Sequence, residues 1–225
     1  MENRLVDAGW AVPPVPEAGG DGIAWLRAHV ARFSSGERHR RRRELVTSAL
    51  AGIDPRWLRR AARAAGRTDP ALPVELLAEA LGHRVDPDDV AIVAVHYQPD
   101  TGEPADADAA VARLVAVMGG VADERTAALI GLLVQAYAAT ATLIEAAVNS
   151  GPGTADALVE ETLALRPPVR ATRRQGPGGA ISVVDLASAG LPFGAGEHEC
   201  PGASHAIAIA AGAIEGKDVE HAQRR

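Results

Sequence analysis

The chain has 225 residues, 47% hydrophobic and 23% charged, which is long enough to bury a core as one domain and too apolar for a wholly disordered chain. Its 23 lysines and arginines stand against 29 acidic residues, a net charge of -6, and the basic residues gather between Glu37 and Arg67 with no interleaved stacking aromatics, so nucleic-acid binding is not expected. A single cysteine excludes an internal disulfide, and the opening stretch has no basic-then-apolar leader, so a cytoplasmic setting is expected.

Aromatics are only 3% and alanine dominates, a balance that favours closely packed helices. The fold expected is all-α, with at most one or two short strands. Residues 1–21 read as a proline- and glycine-rich N-terminal segment, 22–216 as a single domain and 217–225 as a polar tail. Arg38 to Ala65 should hold two helices broken at "GIDP", where Asp54 supplies a cap and Pro55 a first-turn proline. The arginines there fit a solvated helix face, or a site for an anionic ligand or acidic partner. Two further helices are expected in "LPVELLAEALG", ending near Gly82, and "DADAAVARLVAVMGG", ending near Gly119.

A long buried helix should run from Asp123 to Asn149. Its uncharged stretch Thr126 to Ile144 is long enough to cross a membrane, but Thr126, Gln135, Tyr137, Thr140 and Thr142 dilute it, and no membrane span is expected. The next helix runs from Thr154 to Leu165, where "RPP" ends it. Residues 170–191 leave room for the short strands, and a last helix should begin just after Cys200.

The lone thiol stands in "LPFGAGEHECPG". A helix beginning at Pro201 would put the thiolate at its positive end, which lowers a thiol pKa and suits metal binding. Gly194, Gly196 and Gly202 remove side chains around it, so that a flat ligand could lie against the backbone. Cys200 also admits plainer readings: a structural thiol, a zinc ligand with His198 and His205 at an unusual spacing, or a nucleophile beside His198 that lacks a third group.

Phe193-x-x-Gly196-x-His198-x-Cys200-x-Gly202 resembles the haem-thiolate signature of the cytochrome P-450 superfamily. The resemblance implies a reduced P-450-like helical core of a short, degenerate bacterial member. It implies haem b as cofactor, with Cys200 as the axial metal ligand and Phe193, Gly194, Gly196, His198 and Gly202 around it. "GERHRRRRELV" resembles the family's helix C and makes His39 and Arg43, four residues apart on one face, propionate contacts. "RPPVRATRR" resembles the segment after helix K, whose propionate arginine is Arg174, with Arg173 as its neighbour. The long helix resembles helix I, over the distal face of the haem.

The likeness carries large deletions: the N-terminal sheet, helices F and G, and most of the stretch between helix K and the signature are missing. The helix K pair reads Glu161-x-x-Ala164. On the long helix the family's acid and alcohol fall on Ala138 and Ala139, or in a register shifted by one on Ala139 and Thr140, so the acid is lost either way. Tyr137 and Thr140 are the candidate catalytic groups. What is implied is a haem-thiolate enzyme acting on a small biosynthetic intermediate by peroxide-driven oxidation or by redox-neutral rearrangement, dehydration or cyclisation. The alternative is an auxiliary protein that stabilises or activates a partner enzyme. A small-molecule substrate, a homodimer or partner enzyme covering the open pocket, and an acidic redox partner complete the expected interactions.

Overall fold

The computed structural model describes residues 3–223, with side chains for 4–217. Its helices are α1 (Asn3–Val6), α2 (Ile23–His29), α3 (Gly36–Ala51), α4 (Pro55–Ala65), α5 (Ala71–Ala80), α6 (Pro87–Val95), α7 (Ala105–Val117), α8 (Glu124–Val148), α9 (Ala155–Leu165) and α10 (Ala203–Gln223). Two strands, β1 (Ala171–Gln175) and β2 (Ile181–Asp185), form an antiparallel hairpin in which Arg173 faces Val183. The mainly helical fold with a single small sheet is the one expected from the composition.

Aspartates set the helix starts. Asp54 accepts from the Arg56 N–H at 2.8 Å with Pro55 in the first turn, and Asp123 accepts from the Thr126 N–H at 2.8 Å to begin α8. Asp86 and Pro87 repeat the first device at α6, which the sequence reading missed.

Helix α8 is the hub: α3, α5, α6, α9 and α10 all pack on it and bury Ile130, Leu133, Leu143 and Ile144. Among the described residues it is the one helix long and apolar enough to span a membrane. Helices α4 and α10 approach closely, because Gly212 and Gly216 lie one turn apart against the backbone of α4. A Cβ on either would collide with the carbonyl oxygen of Arg59 or Arg63. The Arg59 side chain then ties three helices together, bonding Asp156 at 2.8 Å and Glu215 at 2.5 Å.

The arginine-rich region is largely an ion-paired surface. Arg38 pairs with Glu17, Arg40 with Glu37, Arg41 and Arg42 with Glu124, and Arg67 with Asp69 and Glu75. These pairs absorb most of the charges that suggested an extended anion site, and of the arginines of α3 only Arg43 is left without an ion pair among the described residues.

The described part of the N-terminal segment is attached to the hairpin. Leu5 packs with Val184 and Leu186, Ala11 bridges Gln175, and the Trp10 ring lies where a Cβ on Gly176 would sit. At the other end α10 continues through residue 223, so the stretch expected as a tail from 217 is helical that far, and residues 224–225 lie outside the described residues.

Candidate functional site

Strand alternation sorts the two neighbouring arginines of β1. Arg173 points outward and pairs with Asp100 at 3.1 Å, whereas Arg174 points in and is 4% exposed. Among the described residues its guanidinium donates only to Thr172 Oγ1 at 3.1 Å and to the Arg173 carbonyl at 3.0 Å. Helix periodicity does the same on α3. His39 is 1% exposed, Arg42 turns to Glu124, and Arg43, one turn after His39, joins it in lining a cavity of about 420 Å³ with Gly196 and Glu197.

The loop before α10 brings the third element. The Cys200 N–H donates to the Phe193 carbonyl at 2.8 Å and the Gly194 N–H to that of Leu191 at 3.0 Å, closing two turns. Gly196 has φ +74°, and a Cβ on it would sit 2.5 Å from the Leu5 carbonyl oxygen, so α1 clamps this turn. The clamp lays His198 against His39, with ring centroids 3.9 Å apart. Glu197 reaches toward both, its carboxylate 4.0 Å from His39 Nδ1 and 3.6 Å from His198 Nε2. Both ring nitrogens are buried and lack a hydrogen-bond partner among the described residues.

Electrostatics follow from this crowding. Burial holds His198 down to about 3, reinforced by His39, Arg174, Arg43 and Arg32, and burial also lowers His39 against the pull of Glu197. Arg174 is lowered by burial too, opposed chiefly by Glu197. Arg32, in the 3-10 turn Ala31–Phe33 after α2, is the site member that sequence reasoning missed; its charge reaches Arg174, His198 and Cys200. Arg32, Arg43 and Arg174 have no ion-pair partner among the described residues, unlike most arginines of α3.

The thiol departs from expectation. Cys200 is an exposed residue, yet desolvation of the sulfur raises its pKa, outweighing the Gly202 N–H and the Arg43 and Arg32 charges that lower it. Helix α10 begins at Ala203 rather than Pro201, which weakens the dipole's claim on the sulfur. The nearest atom to where a Cβ on Gly202 would stand is Leu50 Cδ1 at 3.8 Å, an ordinary contact, so packing among the described residues does not require glycine there.

His205 is engaged elsewhere, its Nε2 3.2 Å from the Leu50 carbonyl and 3.1 Å from that of Ile53, which removes it from a zinc set with Cys200. Candidate ligand atoms of His39, Glu197 and His198 lie within 4.8 Å of one another, but the adjacent arginine charges favour an anion over a dication. On α8, Thr140 is buried, and Tyr137 lines a separate cavity of about 490 Å³ with Thr68, Pro70, Thr142, Glu145 and Lys217. The structure therefore gathers His39, Arg43, Arg174 and His198 around Glu197, lets the charges of Arg43 and Arg32 reach Cys200, and leaves Tyr137 on another cavity. Glu161 is exposed on α9.

No protein-family model matches the chain, and no curated protein matches it. Solved structures do. A thermophilic cytochrome P-450 from Sulfolobus tokodaii is similar at TM-score 0.68 and 19% identity, covering 89% of this chain and 76% of that one. The BioI cytochrome P-450, in complex with an acyl carrier protein ligated to hexadec-9Z-enoic acid, is similar at 0.64 and 17%, covering 95% and 81%. The versatile cytochrome P-450 enzyme CYP109B1 from Bacillus subtilis is similar at 0.59 and 18%, covering 95% and 82%. With its central α8, its hairpin and its thiol loop leading into α10, the chain has the cytochrome P-450 fold in shortened form.

Proposed function

We propose that this chain is a haem-thiolate protein that binds haem b through Cys200 and acts on a small biosynthetic intermediate. The observation that carries this reading is Arg174, a buried guanidinium with no carboxylate partner among the described residues. A buried unpaired charge costs several kcal/mol, about as much as a carboxylate ligand would return. A ligand with carboxylates at one edge and a metal at its centre fits this surrounding set: Arg32, Arg43 and Arg174 supply charge, His39 and His198 unpartnered ring nitrogens, and Cys200 a thiol on a glycine loop.

Bound there, haem supplies an iron centre for redox or Lewis-acid chemistry, tuned by its thiolate ligand. The chain's own residues do the rest. Arg43, Arg174 and His39 orient the carboxylate edge. Cys200 would hold the iron as thiolate, although desolvation raises its pKa, so binding would have to displace the thiol proton. Phe193 holds the Cys200 N–H, and Gly194, Gly196 and Gly202 keep the loop free of side chains. Tyr137 and Thr140 are proposed as the protic groups that α8 offers a substrate, Tyr137 through the 490 Å³ cavity it lines.

Alanine, Ala138 or Ala139, stands at the α8 position where the family's acid would relay protons, which supports peroxide-driven oxidation or a redox-neutral rearrangement, dehydration or cyclisation over conventional hydroxylation. The setting proposed is cytoplasmic. A second reading, an auxiliary protein that stabilises or activates a partner enzyme, draws on the exposure of Cys200 at the surface. A second copy, a partner enzyme or an acidic redox protein would cover it; the carrier protein bound to the BioI relative is a precedent for such docking.

The test is the absorption spectrum of haem-supplemented protein, ferric and then reduced under carbon monoxide, for the native chain and Cys200→Ala. The expected result is the long-wavelength Soret band of a thiolate-ligated carbonyl complex, lost in the variant. A native chain with no Soret band, or one unchanged by Cys200→Ala, overturns the haem-thiolate reading.

A further inference from the structure

Glu197 is the one carboxylate within ion-pair distance of the buried imidazoles among the described residues, and it stands where a second carboxylate is expected to arrive. Its backbone is fixed, because the turn Gly196–His198 is clamped on α1. Its side chain is 51% exposed, so it has solvent to turn into, while His39 and His198 beneath it are 1% and 11% exposed. Glu197 is too far from either ring nitrogen to satisfy it, yet near enough for its charge to act on His39 and Arg174. It thus neutralises the cluster only in part.

We propose that Glu197 is a built-in counter-ion that competes with the ligand's carboxylates for Arg174, Arg43, His39 and His198, and so keeps porphyrin binding weak and exchangeable. The inference rests on the haem reading above and adds a determinant of affinity to it. When a porphyrin dicarboxylate enters, Glu197 swings into solvent, and the cost of displacing it and of like-charge proximity is subtracted from the affinity. Glu199, exposed on the same loop without an ion-pair contact to the cluster, acts on the Cys200 thiol instead, so it serves as the control in the titration with iron-free protoporphyrin IX.

The experiment titrates the full chain with three probes, hemin, iron-free protoporphyrin IX and its dimethyl ester, and follows porphyrin absorbance and quenching of tryptophan fluorescence. The variants are Glu197→Gln, Glu199→Gln and Cys200→Ala. Glu197→Gln is expected to bind hemin and protoporphyrin IX about tenfold more tightly than the native chain, with no gain for the dimethyl ester and no gain in protoporphyrin IX binding from Glu199→Gln. An equal or weaker affinity in Glu197→Gln overturns the counter-ion, as does a gain confined to hemin, which would act through the iron, or a gain that persists with the ester. Hemin binding that is indifferent to Cys200→Ala overturns the thiolate reading while leaving the counter-ion result standing. Failure of every porphyrin to bind any variant overturns both.

Discussion

The rings of His39 and His198 lie 3.9 Å apart, centre to centre, one from the middle of α3 and the other from the loop before α10. Two imidazoles at that distance cannot both carry charge in a buried site, and the nearby arginines oppose protonation of either. Burial already depresses both. At neutral pH the pair therefore acts as hydrogen-bonding rings, and the positive charge of the site comes from Arg32, Arg43 and Arg174.

A pH dependence follows, with a defined sign. Because both histidines titrate below their ordinary value of 6.5 in the folded chain, the unfolded chain takes up protons that the folded one refuses. Their contribution to stability is complete above pH 6.5 and is lost as pH falls from there toward about 3, the value for His198. Urea unfolding of the haem-free protein at pH 7.5 and pH 5 should show this fall, and His198→Gln should flatten it. Equal slopes in the two proteins would remove the buried imidazole as its cause.

Glu124 governs a lower window. Its carboxylate meets Arg41 at 2.7 Å and Arg42 at 2.9 Å, and these partners hold it down to about 2 from 4.5. Its contribution is present above pH 4.5 and disappears as pH falls toward 2. At pH 7, Glu124→Gln leaves Arg42, 4% exposed, without its carboxylate, and should cost about 3 kcal/mol. Denaturation at pH 7 and pH 3 checks both claims: the gap between native and variant should be wide at the first and narrow at the second.

Much of this was legible in the sequence. Apolar runs between proline and glycine breaks marked α3, α4, α5, α7, α8 and α9 to within a few residues, and the start of α10 but not its end, which lies at residue 223 rather than 216. Helix α6 escaped because nine residues give little periodicity, although Asp86–Pro87 carries the same start signal as Asp54–Pro55. Cys200, His39 and Arg174 came from a motif and its distant companions. Arg32 and Glu197 could not, since one enters from a short turn after α2 and the other acts only through a loop folded over α3. The thiol's acidity was misjudged for the same reason: a helix start is a local signal, whereas desolvation depends on the whole fold.

The contact of α4 with α10 sets two effects against each other at Gly212. Alanine has the better helix propensity by about 1 kcal/mol. Its methyl group would collide with the Arg59 carbonyl oxygen, and backbone cannot yield as a side chain would. Overpacking should win, so Gly212→Ala is expected to destabilise the fold by about 2 kcal/mol, seen as a lower midpoint in chemical denaturation. A variant as stable as the native chain would mean that the two helices can separate slightly without loss.

Arg173 and Arg174 offer a comparison between adjacent residues of one type. Arg173 is an exposed partner of Asp100, a pair worth little, so Arg173→Ala should leave stability within about 0.5 kcal/mol and porphyrin affinity within about twofold. Arg174→Ala should separate the two measurements. In the haem-free protein it removes a buried guanidinium that has no carboxylate partner, so stability should hold or rise. In the titration with hemin or protoporphyrin IX it removes a charge-assisted contact, so affinity should fall at least about tenfold. A residue serving only the fold would lose stability on replacement and leave affinity per folded molecule unchanged; the opposite pattern identifies Arg174 as a binding group whose burial has a cost that only its ligand offsets.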